Sequence, residues 1–165
     1  MWNKSKNIFK IFETYETKKH VCIVLEYICA GDLLSYIRKR SKLTEPIAKY
    51  IFKQIILGIQ HIHNNRIVHR DIKLDNILID LDNKIKICDF GVSKRVNNNE
   101  KMFEQCGTPT YIAPEILKGK GYEGYKVDIW SAGVVLYAML SGTVPFKGNN
   151  IHELHKLIWK EIIFL

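Results

Sequence analysis

No Cys-x-x-Cys pair occurs among Cys22, Cys29, Cys88 and Cys106, and no histidine stands at zinc-binding spacing from them. Neither a disulfide framework nor a zinc module is therefore expected. The four are read as reduced thiols of a cytoplasmic protein, with the nucleus as the other compartment of that redox class. Cys88, beside Asp89, could meet an electrophile, but a small buried hydrophobe is the commoner role for such a position. Long apolar runs are also missing. Ile129 to Leu140 is too short to span a bilayer and reads as a buried helix, and the start, Met1-Trp2-Asn3-Lys4-Ser5-Lys6, lacks the apolar core of a signal peptide. No membrane is expected as a partner. The net charge of +8, from 25 Lys and Arg against 17 Asp and Glu, suits an anion. The lysines are scattered rather than gathered into one basic run with interleaved aromatics, so nucleic acid is not the expected anion.

What the chain has is length for one domain, 165 residues with 47% hydrophobic content, enough for a sizeable core. It is organised around His69 to Gly91. Residues 77–79 and 84–88 are short and β-branched, and the polar Asp80 to Asn83 between them carries turn chemistry, which predicts a β-hairpin. Asn76 precedes the first strand and Asp89 follows the second, so the hairpin brings two oxygen ligands together, with Asp71 and Lys73 on the loop leading in. Oxygen ligands of that kind suit Mg²⁺, which takes one or two protein ligands and completes its shell with water and phosphate oxygens. The predicted chemistry is phosphoryl transfer.

Elsewhere the pattern is regular. Residues 7–16 and 20–28 read as two strands joined near Thr17-Lys18-Lys19, with Val21 to Leu25 apolar enough to be covered on both faces. Asp32 is placed to cap a short helix over 33–39. Thr44-Glu45-Pro46 is a helix start with a hydroxyl cap and a first-turn proline. Ile47, Ile51, Ile55, Ile59 and Ile62 then form one apolar stripe, and His61 and His63 near the helix end read as surface groups favoured by its dipole. Residues 92–112, with Asn97-Asn98-Asn99, predict a solvated, mobile loop. A second apolar helix runs from about Val127 to Leu140, stopped by Gly142 and Pro145, and 151–160 is a further amphipathic helix.

His69-Arg70-Asp71 with Asn76, then Asp89-Phe90-Gly91, then Ala113-Pro114-Glu115, resemble the protein-kinase signature in order and spacing. Each tripeptide alone is bland, a surface loop or a turn after a strand; the three together are specific. Lys73 and Gly107-Thr108-Pro109-Thr110-Tyr111 resemble the serine/threonine branch, in its calcium/calmodulin-dependent or energy-sensing group. The resemblance implies an α+β, protein-kinase-like fold: a mainly helical large lobe, residues 29–165, C-terminally incomplete, after a remnant of the β-rich small lobe and hinge, residues 1–28. It implies ATP and Mg²⁺ as cofactors and a protein substrate.

By the same resemblance, Asp71 accepts the proton of the substrate hydroxyl, Lys73 neutralises the transferring phosphate, and Thr108 hydrogen-bonds near both and helps select Ser or Thr. Asn76 and Asp89 hold Mg²⁺. Leu25 guards the back of the adenine pocket, Glu26-Tyr27-Ile28 form the hinge, Leu78 lies under adenine, and Asp32 touches ribose or a basic substrate side chain. Asp32 and Asp75 match positions that receive upstream arginines in some relatives; a third such position is Ala138 here. Glu104 stands where many relatives carry an activating phosphothreonine, and can pair with Arg70. Asp128 holds the catalytic loop through backbone hydrogen bonds, and Glu115 matches a buried glutamate that pairs with a later arginine. Upstream of Asn7 nothing resembles the Gly-rich loop, the strand lysine or its helix glutamate. The function implied is transfer of the γ-phosphate of ATP to protein Ser/Thr hydroxyls; the alternative is a catalytically inactive kinase-like binding or scaffold module.

Overall fold

The computed structural model describes residues 5–97 and 100–160, so Met1 to Lys4, Asn98, Asn99 and the last five residues lie outside the account below. The chain opens on an antiparallel pair, β1 (Ile11–Glu16) and β2 (Val21–Leu25), followed by α1 (Leu33–Arg38) and α2 (Glu45–Asn64). Next come β3 (Ile67–Val68) and a hairpin of β4 (Ile77–Ile79) and β5 (Ile85–Ile87). Two-residue strands β6 (Lys94–Arg95) and β7 (Lys101–Met102) flank Asn98 and Asn99. They are followed by α3 (Pro114–Leu117), β8 (Tyr122–Glu123), α4 (Gly124–Ser141) and α5 (Ile151–Lys160). This is an α+β arrangement in which helices carry the core and small antiparallel ladders decorate it.

The core forms where α2 packs against α4 and the β4–β5 hairpin. Ile51, Ile55, Ile59 and Ile62 project one helical stripe, and Ile77, Ile79, Ile85 and Ile87 fill the facing side with almost no exposure. Alternation along each strand turns Leu78 and Lys86 the other way, and the register sets them directly opposite one another. The stripe starts one residue later than the spacing predicts: Ile47 is exposed and Ala48 is buried. Thr44 occupies the N-cap position, but its hydroxyl makes no capping bond; Asp32 does cap α1, accepting from Ser35 N at 2.7 Å. Gly142 ends α4 at φ 80°, packed so closely on the Ser41 carbonyl that a Cβ would collide with it.

Five expectations are corrected here. Val21 to Leu25 are not covered on both faces. Val21, Ile23, Val24 and Leu25 are all exposed, as are Ile11, Phe12 and Tyr15 opposite, since β1 and β2 pair only with each other. The first strand is also shorter: residues 7–9 leave β1 and run along β5, with Ile87 N donating to Asn7 O at 2.9 Å and Phe9 N to Ile87 O at 3.0 Å. His63 is no free surface group, since its Nε2 lies 2.8 Å from Asp128 Oδ2. The segment 92–112 is pinned on both sides of the asparagine run by ladders β3–β6 and β7–β8. Ala138 is buried in the core, so that position presents nothing to a substrate, and Glu115 is half-buried rather than sealed.

Candidate active site

Between β3 and β4 the chain turns through His69 to Asn76, and one buried carboxylate holds that turn. Asp128 on α4, 1% exposed, accepts from His69 N at 2.9 Å and from His63 at 2.8 Å through Oδ2, and from Arg70 N at 2.8 Å through Oδ1. A buried carboxylate is tolerated only with such partners, and here the partners are the backbone of the loop itself. Arg70 is thereby fixed at φ 69°.

His69 is fully buried and ties the two halves of the site together. Its Nε2 lies 3.0 Å from Cys88 O, which can only accept, and its Nδ1 accepts from Asp71 N at 3.3 Å. These contacts specify a neutral ring with the proton on Nε2. Burial holds its pKa below the ordinary 6.5, outweighing Asp128 and the Cys88 carbonyl, which pull the other way.

Asp71 collects four donors. Oδ1 accepts from Thr108 N at 3.0 Å and Thr108 Oγ1 at 2.8 Å; Oδ2 meets Lys73 Nζ at 2.9 Å and Asn76 Nδ2 at 3.0 Å. Lys73 Nζ also donates to Thr108 Oγ1 at 2.9 Å. Burial alone would raise the pKa of Asp71; the bonds from Lys73 and Thr108 outweigh it and hold the group below its ordinary 3.8. Thr108 reaches Asp71 because Gly107, at φ 103°, passes so close to Arg70 O that a Cβ would sit 2.8 Å from it.

Asn76 is oriented by its surroundings. Nδ2 donates to Asp71 O at 2.9 Å as well as to Oδ2, which fixes the amide's orientation, and no donor among the described residues meets Oδ1. Across the hairpin Cys88 N donates to Asn76 O at 3.0 Å, so Asp89 follows the residue bonded to Asn76. Asp89 is exposed at φ 61°, and its Oδ1 accepts from Gly91 N at 3.2 Å. The donor set fits a magnesium ion, which needs few protein oxygens. Among the described residues no cluster of three or more His, Cys, Asp or Glu could form an all-protein cage. Cys88 is a weak candidate for modification: burial pushes its thiol up to about 11.

Of the residues expected around a nucleotide base, Glu26, Asp32 and Leu78 meet on the face of the hairpin turned away from the isoleucine core. Asp32 bridges Leu78. Lys86, opposite Leu78, pairs with Glu26 Oε2 at 2.9 Å, while Glu26 Oε1 accepts from Lys10 N at 2.6 Å. Leu25 is 45% exposed and Ile28 half-buried. Both Asp32 oxygens are engaged by Ser35, at 2.7 and 3.0 Å, whereas Asp75 is exposed.

Residues 2–164 match the family described as protein kinase domain. The chain belongs to the protein kinase family. Similar curated kinases include the proteins named NUAK family SNF1-like kinase 2 from Homo sapiens and Pongo abelii. Each is 44% identical over 156 residues, 94% of this chain and 24% of the relative. The chain thus spans about a quarter of the length of those relatives. Around the candidate site, three groups had no sequence signal beyond their type. His63 stood on a helix end, Lys86 on the polar side of a strand, and Lys94, 3.0 Å from Glu104 Oε1, in a segment read as loop. Only the fold supplies their partners.

Proposed function

We propose that this chain forms the catalytic centre of a serine/threonine protein kinase, with residues 1–28 contributing small lobe and hinge and 29–165 the large lobe. The observation that carries the reading is Asp71. It is one carboxylate held ionised by Lys73 and Thr108, on the amide whose Oδ1 is turned free, next to the hairpin end that bears Asp89. In transfer, the substrate hydroxyl oxygen attacks the terminal phosphorus of ATP, the bond to the leaving ADP oxygen breaks, and the hydroxyl proton passes to Asp71. Lys73 balances charge on the moving phosphoryl group, and Thr108 positions both side chains. Asn76 Oδ1 and Asp89 would hold Mg²⁺, which when bound offsets charge on the phosphates. Leu78, Leu25 and the backbone of Glu26 and Ile28 line the base, with Asp32 at its ribose end.

Protein substrates with basic residues near the target hydroxyl suit this site, chiefly through the exposed Asp75, and reduced cysteines accord with a cytoplasmic setting. Incubation with Mg-ATP and a Ser/Thr peptide array tests the reading. Transfer is expected, is lost in Asp71→Asn, and favours peptides with basic residues. Mg-ATP should also raise the melting temperature, and Asp89→Ala should remove most of that shift. A shift that survives together with no transfer by the unmodified chain would favour the kinase-like binding module instead.

A further inference from the structure

Away from the catalytic carboxylate, a cavity of about 470 Å³ opens between the end of α1 and the turn joining β4 to β5, lined by Cys29, Tyr36, Lys39, Arg40, Leu81 and Asn83 among others. Its cations stand unneutralised. The two that line it, Lys39 and Arg40, stand in a run with Arg38 and Lys42 that puts four positive charges into five residues, and among the described residues none of the four lies within ion-pair distance of a carboxylate. Asp80, also on the wall, is one opposing charge against the two cations; its Oδ1 accepts from Asp82 N at 2.9 Å and Lys84 N at 2.8 Å, and the neighbouring Asp82 is paired with Lys84 at 3.2 Å.

The cavity also has a fixed part and an apolar part. Arg40 lies over the Tyr36 ring, 3.7 Å from its centre, and donates to Tyr36 O at 3.3 Å. The Tyr36 hydroxyl is itself held by Asn83 Oδ1 at 2.6 Å. The guanidinium is thus preorganised on a supported ring, which lowers the entropy cost of seating an anion on it. Leu81, 81% exposed at the turn tip, offers apolar surface that water alone does not favour.

From this juxtaposition of preorganised, unpaired cations and an exposed leucine around one cavity, we infer a docking site for an acidic, leucine-bearing peptide segment of a partner protein. A carboxylate rests on Lys39 and Arg40, and an apolar side chain covers Leu81. The site lies outside the catalytic network, so it recruits without taking part in transfer.

A fluorescein-labelled pentapeptide of alternating glutamate and leucine, followed by anisotropy against the full chain, tests the inference. It should bind more tightly than its lysine–leucine counterpart and weaken with salt. Lys39→Glu should lower affinity about tenfold, as expected for reversing one partly exposed charge. Leu81→Ser, on a separate element, should lower it as well. Cys29, exposed on the cavity wall, supplies an address: bound peptide should slow its alkylation by iodoacetamide while leaving the half-buried Cys22 unchanged. Equal binding of the two peptides would overturn the inference. So would acidic-peptide binding that leaves Cys29 alkylation and both variants unaffected, which would place that peptide on the general positive surface.

Discussion

Replacing Asp128 by alanine should be the most damaging single change outside the reacting groups. The side chain is 1% exposed and serves His69 N, Arg70 N and His63 Nε2 at 2.8–2.9 Å. Each bond to a charged acceptor contributes roughly 1.5–3 kcal/mol, and a buried donor left alone costs about 1–3 kcal/mol. The terms overlap, because one carboxylate serves all three donors. A combined loss of about 3–5 kcal/mol follows, the range for removing one partner from a buried charged network. In a chain of this size that corresponds to a fall in melting temperature of roughly 6–20 °C. Asp128→Asn separates hydrogen bonding from packing: it keeps the shape but turns an amide donor towards a backbone donor, so a loss of about 2 kcal/mol or more is expected. Urea unfolding by circular dichroism, with the slope checked for constancy, measures both. A loss below about 1 kcal/mol in either variant would refute the claim that this carboxylate holds the loop.

Acid should destabilise the fold through His69. Its folded pKa lies below the ordinary 6.5, so between those values the unfolded chain binds the extra proton. Stability therefore rises with pH across that window and is lost as pH falls below about 6.5, by up to roughly 1.4 kcal/mol per pH unit. The slope should shrink in His69→Gln, and an unchanged slope in that variant would assign the effect elsewhere. Gly107→Ala should cost about 1–3 kcal/mol, through positive φ and the clash with Arg70 O. It should also weaken phosphoryl transfer by moving Thr108 off Asp71; full stability with full transfer would contradict the geometry. Glu104→Ala tests whether an acidic side chain substitutes for phosphorylation. Glu104 Oε2 stands 3.7 Å from Arg70 Nη1 and Oε1 3.0 Å from Lys94. Its own backbone N–H, then Lys94, hold its carboxyl down to about 2. Loss of activity at neutral pH is expected, and unchanged activity would end that idea.

How legible this was from the letters depended on whether the deciding contact was local. The β4–β5 hairpin and the long helices were readable because alternation and the isoleucine stripe are written in adjacent residues. Convergence of Asp71, Lys73, Asn76 and Thr108 was expected only through likeness of motifs, since Thr108 lies 37 residues from Asp71. The exposure of Val21 to Leu25 was misread because an apolar strand is buried only if something packs on it, and periodicity does not name the cover. His63 was misread for the converse reason: nothing near position 63 announces a carboxylate 65 residues away.

Two residues, Arg70 beside Asp71 and Asp89 just past the hairpin, are held at φ 69° and 61°, a region that costs a side chain bearing a Cβ about 1–2 kcal/mol. The loop therefore behaves like a bent spring clamped at its ends. Evolution could relax it with glycine at either position, yet each relaxation would delete a charge from the proposed site. Selection for mere robustness and selection for turnover pull these two positions in opposite directions.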